Sequence, residues 1–77
     1  MKLYEINNCN ASLMSDYTYQ EANTATEAIF KAFKVRTKRN ADRQVDFLVT
    51  PVESAGNGKY YQRGNRLGLS IIHNTLY

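Results

Sequence analysis

Thr24-Ala25-Thr26-Glu27-Ala28-Ile29-Phe30-Lys31-Ala32-Phe33-Lys34 decides the fold, because it carries the chain's one helical period. Thr24 and Glu27 stand at capping-box spacing, in which the Thr24 hydroxyl accepts from the third helical N–H and Glu27 reaches back. Behind them Ala25, Ala28, Ile29, Ala32 and Phe33 recur at i, i+3, i+4, i+7 and i+8, one apolar stripe suited to packing on a sheet. Phe30 flanks that stripe. The two small alanines, Ala25 and Ala32, permit close approach. Glu27, Lys31, Lys34 and Lys38 fall on the opposite face at 3.6 residues per turn. The periodicity stops between Thr37 and Asn40, so the helix is expected to fray there.

Outward from the helix, the chain reads as strands. Lys2-Leu3-Tyr4-Glu5-Ile6 alternates and is aromatic and β-branched, and Asn7-Asn8-Cys9-Asn10 is expected to break it. Asp16-Tyr17-Thr18-Tyr19-Gln20-Glu21 alternates again and is the expected hairpin partner of the first strand. Gln44 to Pro51 sets Val45, Phe47 and Val49 on one face, with Pro51 expected at a strand end, an edge or a bulge. Asn57-Gly58, within the turn Ser54 to Gly58, is a favoured pair where φ must be positive. Lys59-Tyr60-Tyr61-Gln62-Arg63, a Gly64-Asn65 turn and Leu67 to Ile72 complete the chain. In the last strand, Gly68 and Ser70 leave one face small enough for close packing. The expectation is a single α+β domain over residues 1–77. One helix packs on an antiparallel sheet of four to five strands, in the order β-β-α-β-β-β.

The 77 residues leave room for one domain, and 43% hydrophobic content with a net charge of +3 is that of a folded chain, not a disordered one. A deep catalytic cleft beside a core is not expected at this size. The single Cys9 makes no internal disulfide, and Cys9 with His73 falls short of a four-ligand zinc site, so no metal or cofactor is expected. A Cys9–His73 dyad would need the first turn to meet the C-terminal tail; a buried thiol and a surface imidazole are the simpler reading. Gly56-Asn57-Gly58-Lys59 lacks the spacing of a phosphate loop and leads into a strand, so it reads as a hairpin turn. There is no apolar run of spanning length and no secretory leader. A cytoplasmic, non-enzymatic protein is the consistent expectation, and Asn10-Ala11-Ser12 is then a chance glycosylation pattern.

Charge is segregated along the chain. Residues 1–30 set Lys2 against Glu5, Asp16, Glu21 and Glu27, a balance of −3; residues 31–43 set Lys31, Lys34, Arg36, Lys38, Arg39 and Arg43 against Asp42, a balance of +5. Those six cations, extended by Arg63 and Arg66, could neutralise phosphates or dock on an acidic protein surface; a solvated helix face with cations near its C-terminus accounts for them equally well. Tyr4, Tyr17, Tyr19, Tyr60 and Tyr61 all fall on expected strands and make either a stacking platform for bases, an interface patch, or a plain cover for the second sheet face. Tyr60 and Tyr61 must split across the two faces.

Met1-Lys2-Leu3-Tyr4-Glu5-Ile6 and the passage Tyr19-Gln20-Glu21-Ala22-Asn23-Thr24-Ala25-Thr26-Glu27-Ala28 resemble the small phage-encoded anti-CRISPR proteins that pack one helix on an antiparallel sheet. The resemblance covers the first half of the chain. It implies a stoichiometric inhibitor that binds a CRISPR-Cas effector and occludes its nucleic-acid-binding surface, with Lys31 and Lys34 as exposed contacts. The basic balance departs from the acidic, DNA-mimicking members. The expected binding residues are Lys31, Lys34, Arg36, Lys38, Arg39, Arg43, Tyr60, Tyr61, Arg63 and Arg66. The alternatives are a small nucleic-acid-binding protein using phosphate contacts and tyrosine stacking, and a homodimeric module.

Overall fold

A computed structural model of the chain describes residues 1–9, 17–40 and 45–73. Seven elements follow one another: β1 (Lys2–Asn8), β2 (Tyr17–Ala22), α1 (Ala25–Phe33), β3 (Arg36–Arg39), β4 (Phe47–Gly56), β5 (Lys59–Gln62) and β6 (Leu67–His73). All six strands belong to one antiparallel sheet in the order β2-β1-β4-β6-β3, with β5 paired to β4 beyond the end of β6. The α+β class and the β1–β2 hairpin are as expected. The strand count is not, because the stretch expected to be a fraying helix end is the edge strand β3.

The helix begins where its cap places it. The Glu27 N–H donates to Thr24 Oγ1 at 3.1 Å, and Glu27 Oε1 accepts from the Asn23 N–H at 3.4 Å. Ala25, Ala28 and Ile29 are buried, while Ala32 and Phe33 pack partly buried against the core. Facing them are Tyr4 and Ile6 of β1, Ala22 of β2, Phe47 and Val49 of β4 and Leu69 of β6. The register explains the set: Ile6 stands opposite Val49 and Phe47 opposite Leu69, so these side chains share the helix-facing side. Phe33 and Phe47 meet with ring centroids 5.0 Å apart.

α1 ends one turn before the charge run suggests. Lys34 takes the left-handed conformation (φ 61°, ψ 34°), and its N–H closes the last turn on the Phe30 carbonyl. Val35 then leads straight into β3, which pairs with β6. Since β2 and β3 both run parallel to β4, the segment β2–α1–β3 carries the chain from one edge of the sheet to the other. The helix lies across the interval and touches both edge strands.

Several boundaries move for physical reasons. Asn7 and Asn8 extend β1 instead of ending it, because both find partners in β4. The expected strand from Gln44 begins at Phe47, with Gln44 outside the described residues; Val45 leaves the inward row and packs where a Cβ on Gly68 would stand 2.6 Å from its Cγ1. Pro51 lies inside β4, not at its end. Its carbonyl accepts from the Arg63 N–H at 2.7 Å, so its missing donor points the same way, toward Arg63 just past the end of β5, and only the reciprocal bond of that terminal pair is forgone. Asn57 and Gly58 both have positive φ, 57° and 73°, as a two-residue turn of the first primed type requires.

Candidate functional site

The cationic residues divide between two structural positions. Lys31 stands in the last turn of α1 and pairs with Glu27 at 3.2 Å. Lys34 is the exposed C-cap; Arg36, Lys38 and Arg39 are exposed on β3. None of these four makes an ion pair with a described residue. Lys38 therefore does not sit on the helix face, and the expected helical row of Lys31, Lys34 and Lys38 is replaced by a helix end running into a cationic edge strand. Arg43 lies outside the described residues.

Backbone direction on β3 follows from the register. The Asn40 N–H donates to the Gly68 carbonyl at 3.0 Å, and Lys38 opposite Ser70 is in phase with it. With the two-residue alternation of an antiparallel ladder, the N–H and C=O groups of Thr37 and Arg39 face the open edge. Across the strand, Arg39 stands opposite the buried Leu69 and so projects on the helix side, whereas Lys38 projects on the other.

A groove of about 350 Å³ runs beside this edge, lined by Thr26, Glu27 and Phe30 of α1, Arg36 and Thr37 of β3, and Ile72 of β6. Phe30 is 41% exposed and Ile72 50%. Ile72 reaches it because the β3–β6 register slips between Arg36 and Thr37, which pair with His73 and Ile71 and leave Ile72 as the extra residue of a bulge. Thr37 Oγ1 is buried with no hydrogen-bond partner. Phe30 and Ile72 were not expected at a site: Phe30 reads as a flank of the helix stripe, and the bulge that turns Ile72 has no local sequence signal.

The second group of expected residues lies on the β4–β5 hairpin and the loop after it, and it is internally partnered. Tyr60 stacks on Tyr19, with ring centroids 4.1 Å apart and planes at 17°. Tyr19 and Tyr60 sit on β2 and β5, with β1 and β4 between them, so the rings meet only because the sheet curls about the face away from the helix. Beneath them Tyr19 donates to Glu5 Oε2 at 3.0 Å, and Arg66 Nε donates to Oγ1 of the buried Thr50 at 3.1 Å. On the opposite face, Tyr61 donates its hydroxyl hydrogen to Glu53 Oε2, and Arg63 pairs with Glu53 Oε1 at 2.8 Å. Tyr60 and Tyr61 do split across faces, but both remain exposed at the surface. Partial burial, then the bond to Glu5, raises the Tyr19 pKa; the bond to Glu53 comes first in raising that of Tyr61, with Arg63 opposing.

For catalysis the described residues offer little. No group of three or more His, Cys, Asp or Glu is placed to hold a metal among them. Cys9 is exposed, not buried as expected, and the His73 side chain is outside the description. Among the described residues no helix is long and apolar enough to cross a membrane. No protein-family model, curated protein or solved structure matches the chain.

Proposed function

We propose that the protein is a non-catalytic binding module that docks the cationic edge formed by Lys34, Arg36, Lys38 and Arg39 on an acidic surface of a protein partner. The observation that carries this reading is four exposed cations within residues 34–39, with no carboxylate among the described residues to pair them. Exposed single charges contribute little one at a time, but a like-signed row steers encounter and selects partner polarity. The anti-CRISPR resemblance makes that partner a CRISPR-Cas effector. A cationic edge would be repelled by a cationic nucleic-acid channel, so the inhibitor would reach an acidic patch of the effector and obstruct the channel from there.

Direct nucleic-acid binding is the second reading. The same unpaired cations favour it, since phosphates would satisfy them. Its stacking component is weaker, because Tyr60 spends one ring face on Tyr19 and the Tyr61 hydroxyl is held by Glu53.

The test is capture from lysate by the wild type and by Arg36→Glu with Lys38→Glu, with and without nuclease. The double reversal is expected to weaken capture at least about tenfold with the circular-dichroism spectrum and melting unchanged. Nuclease-resistant capture supports the protein partner, and nuclease-sensitive capture the second reading. Full capture by the folded double variant overturns both.

A further inference from the structure

We infer that β3 is a strand-addition site, on which an extended acidic segment of the partner protein pairs along Arg36–Arg39 and seats one apolar side chain in the groove between Phe30 and Ile72. The inference rests on the cationic edge being the binding surface and names the conformation and chemistry of what it binds.

Three independent features converge on one strand. The first is backbone: among the described residues β3 pairs with β6 alone, leaving the N–H and C=O groups of Thr37 and Arg39 directed at the other edge. An incoming strand satisfies such groups at ladder spacing. The second is charge. Arg36, Lys38 and Arg39 supply three cations in four residues, so a second copy of β3 is repelled and an acidic segment attracted. The third is the groove, where Phe30 and Ile72 offer apolar surface next to the strand and the buried Thr37 hydroxyl has a hydrogen bond still to make. Strand addition draws affinity from the main chain and specificity from such pockets. A phosphate backbone would meet the cations but use neither the amides nor the apolar groove.

The probe is a fluorescent peptide alternating glutamate with valine and carrying one central leucine, set against the same peptide N-methylated at alternate amides and a DNA duplex. The labelled wild-type protein is expected to bind the unmethylated peptide, with affinity falling as salt rises. Hydrogen exchange at the Thr37 and Arg39 amides should slow in the complex, and N-methylation should weaken binding about tenfold. Phe30→Ser and Ile72→Ser, both at exposed side chains, should each weaken it several-fold. Equal binding of the methylated peptide, or unchanged exchange at Thr37 and Arg39, overturns strand addition. If Arg36→Glu with Lys38→Glu still abolishes binding in that case, the cationic edge survives as a plain electrostatic surface. Preferential binding of the duplex overturns strand addition in favour of phosphate contacts. Binding of neither probe, or binding unaffected by the double reversal, overturns the cationic edge itself.

Discussion

Tyr19 illustrates how much one exposed strand residue can be asked to do. Its ring stacks on Tyr60 across the curled sheet, and its hydroxyl donates to Glu5. Both contacts favour the neutral phenol: partial burial disfavours the phenolate, and Glu5 repels it. The folded state therefore holds this proton more tightly than the unfolded chain, whose tyrosines titrate near pH 10. Stability from Tyr19 is fully present below that pH and is lost as pH rises through the higher folded value, because the unfolded state ionises first. Tyr19→Phe keeps the ring and removes the ionisation, at a cost of at most about 1 kcal/mol near neutrality for so exposed a bond. The melting-temperature gap between wild type and Tyr19→Phe should narrow as pH climbs past 10, followed by circular dichroism. A constant gap would show that this hydroxyl is not the titrating group. Alternation alone placed Tyr19 on a strand and left open what its ring would meet; the stack depends on sheet curvature, which no nearby residue announces.

At the scale of elements, the start of α1 and its end differ in how openly they are written. Thr24, Glu27 and the Ala25-to-Phe33 stripe are local signals, and the helix obeys them. The Asn57-Gly58 turn is equally local, since two positive φ angles call for those residues. The end of α1 carries no glycine: Lys34 adopts the left-handed conformation at a steric cost that glycine avoids. Arg36-Thr37-Lys38-Arg39 shows no apolar alternation, so nothing local distinguishes it from a continuing helix. That segment is a strand through partners far away in the chain, Ile71, Ser70 and Leu69. Lys34→Gly should thus stabilise the protein by about 1 kcal/mol, raising the melting temperature by about 4–8 °C for a domain of this length. Differential scanning calorimetry decides it, and an unchanged or lower midpoint would mean that the Lys34 side chain contributes more than its backbone costs.

For the whole molecule, the sequence polarity becomes spatial polarity. Glu5 and Glu21 lie on β1 and β2, at one end of the sheet path, whereas Arg36, Lys38 and Arg39 form β3 at the other. The crossover through α1 ties those opposite edges together. Among the described residues β2, β3 and β5 each pair on one side only, and such strands must be kept from pairing with other copies; clustered cations are one way to do so. On β3 the same cations that would receive an acidic segment also reject a second β3, so binding and solubility make the same demand on these positions. Arg36→Val with Lys38→Val raises strand propensity and removes the repulsion while leaving Thr37 and Arg39 to present their backbone groups. The double variant should self-associate at concentrations where the wild type sediments as a single species, and Lys59→Val, at the start of β5 after the hairpin turn, should not. Sedimentation velocity over a series of concentrations measures this. Coincident profiles for all three proteins would mean that the β3 edge is shielded by something other than its charge, and would weaken the case for an incoming strand at the same edge.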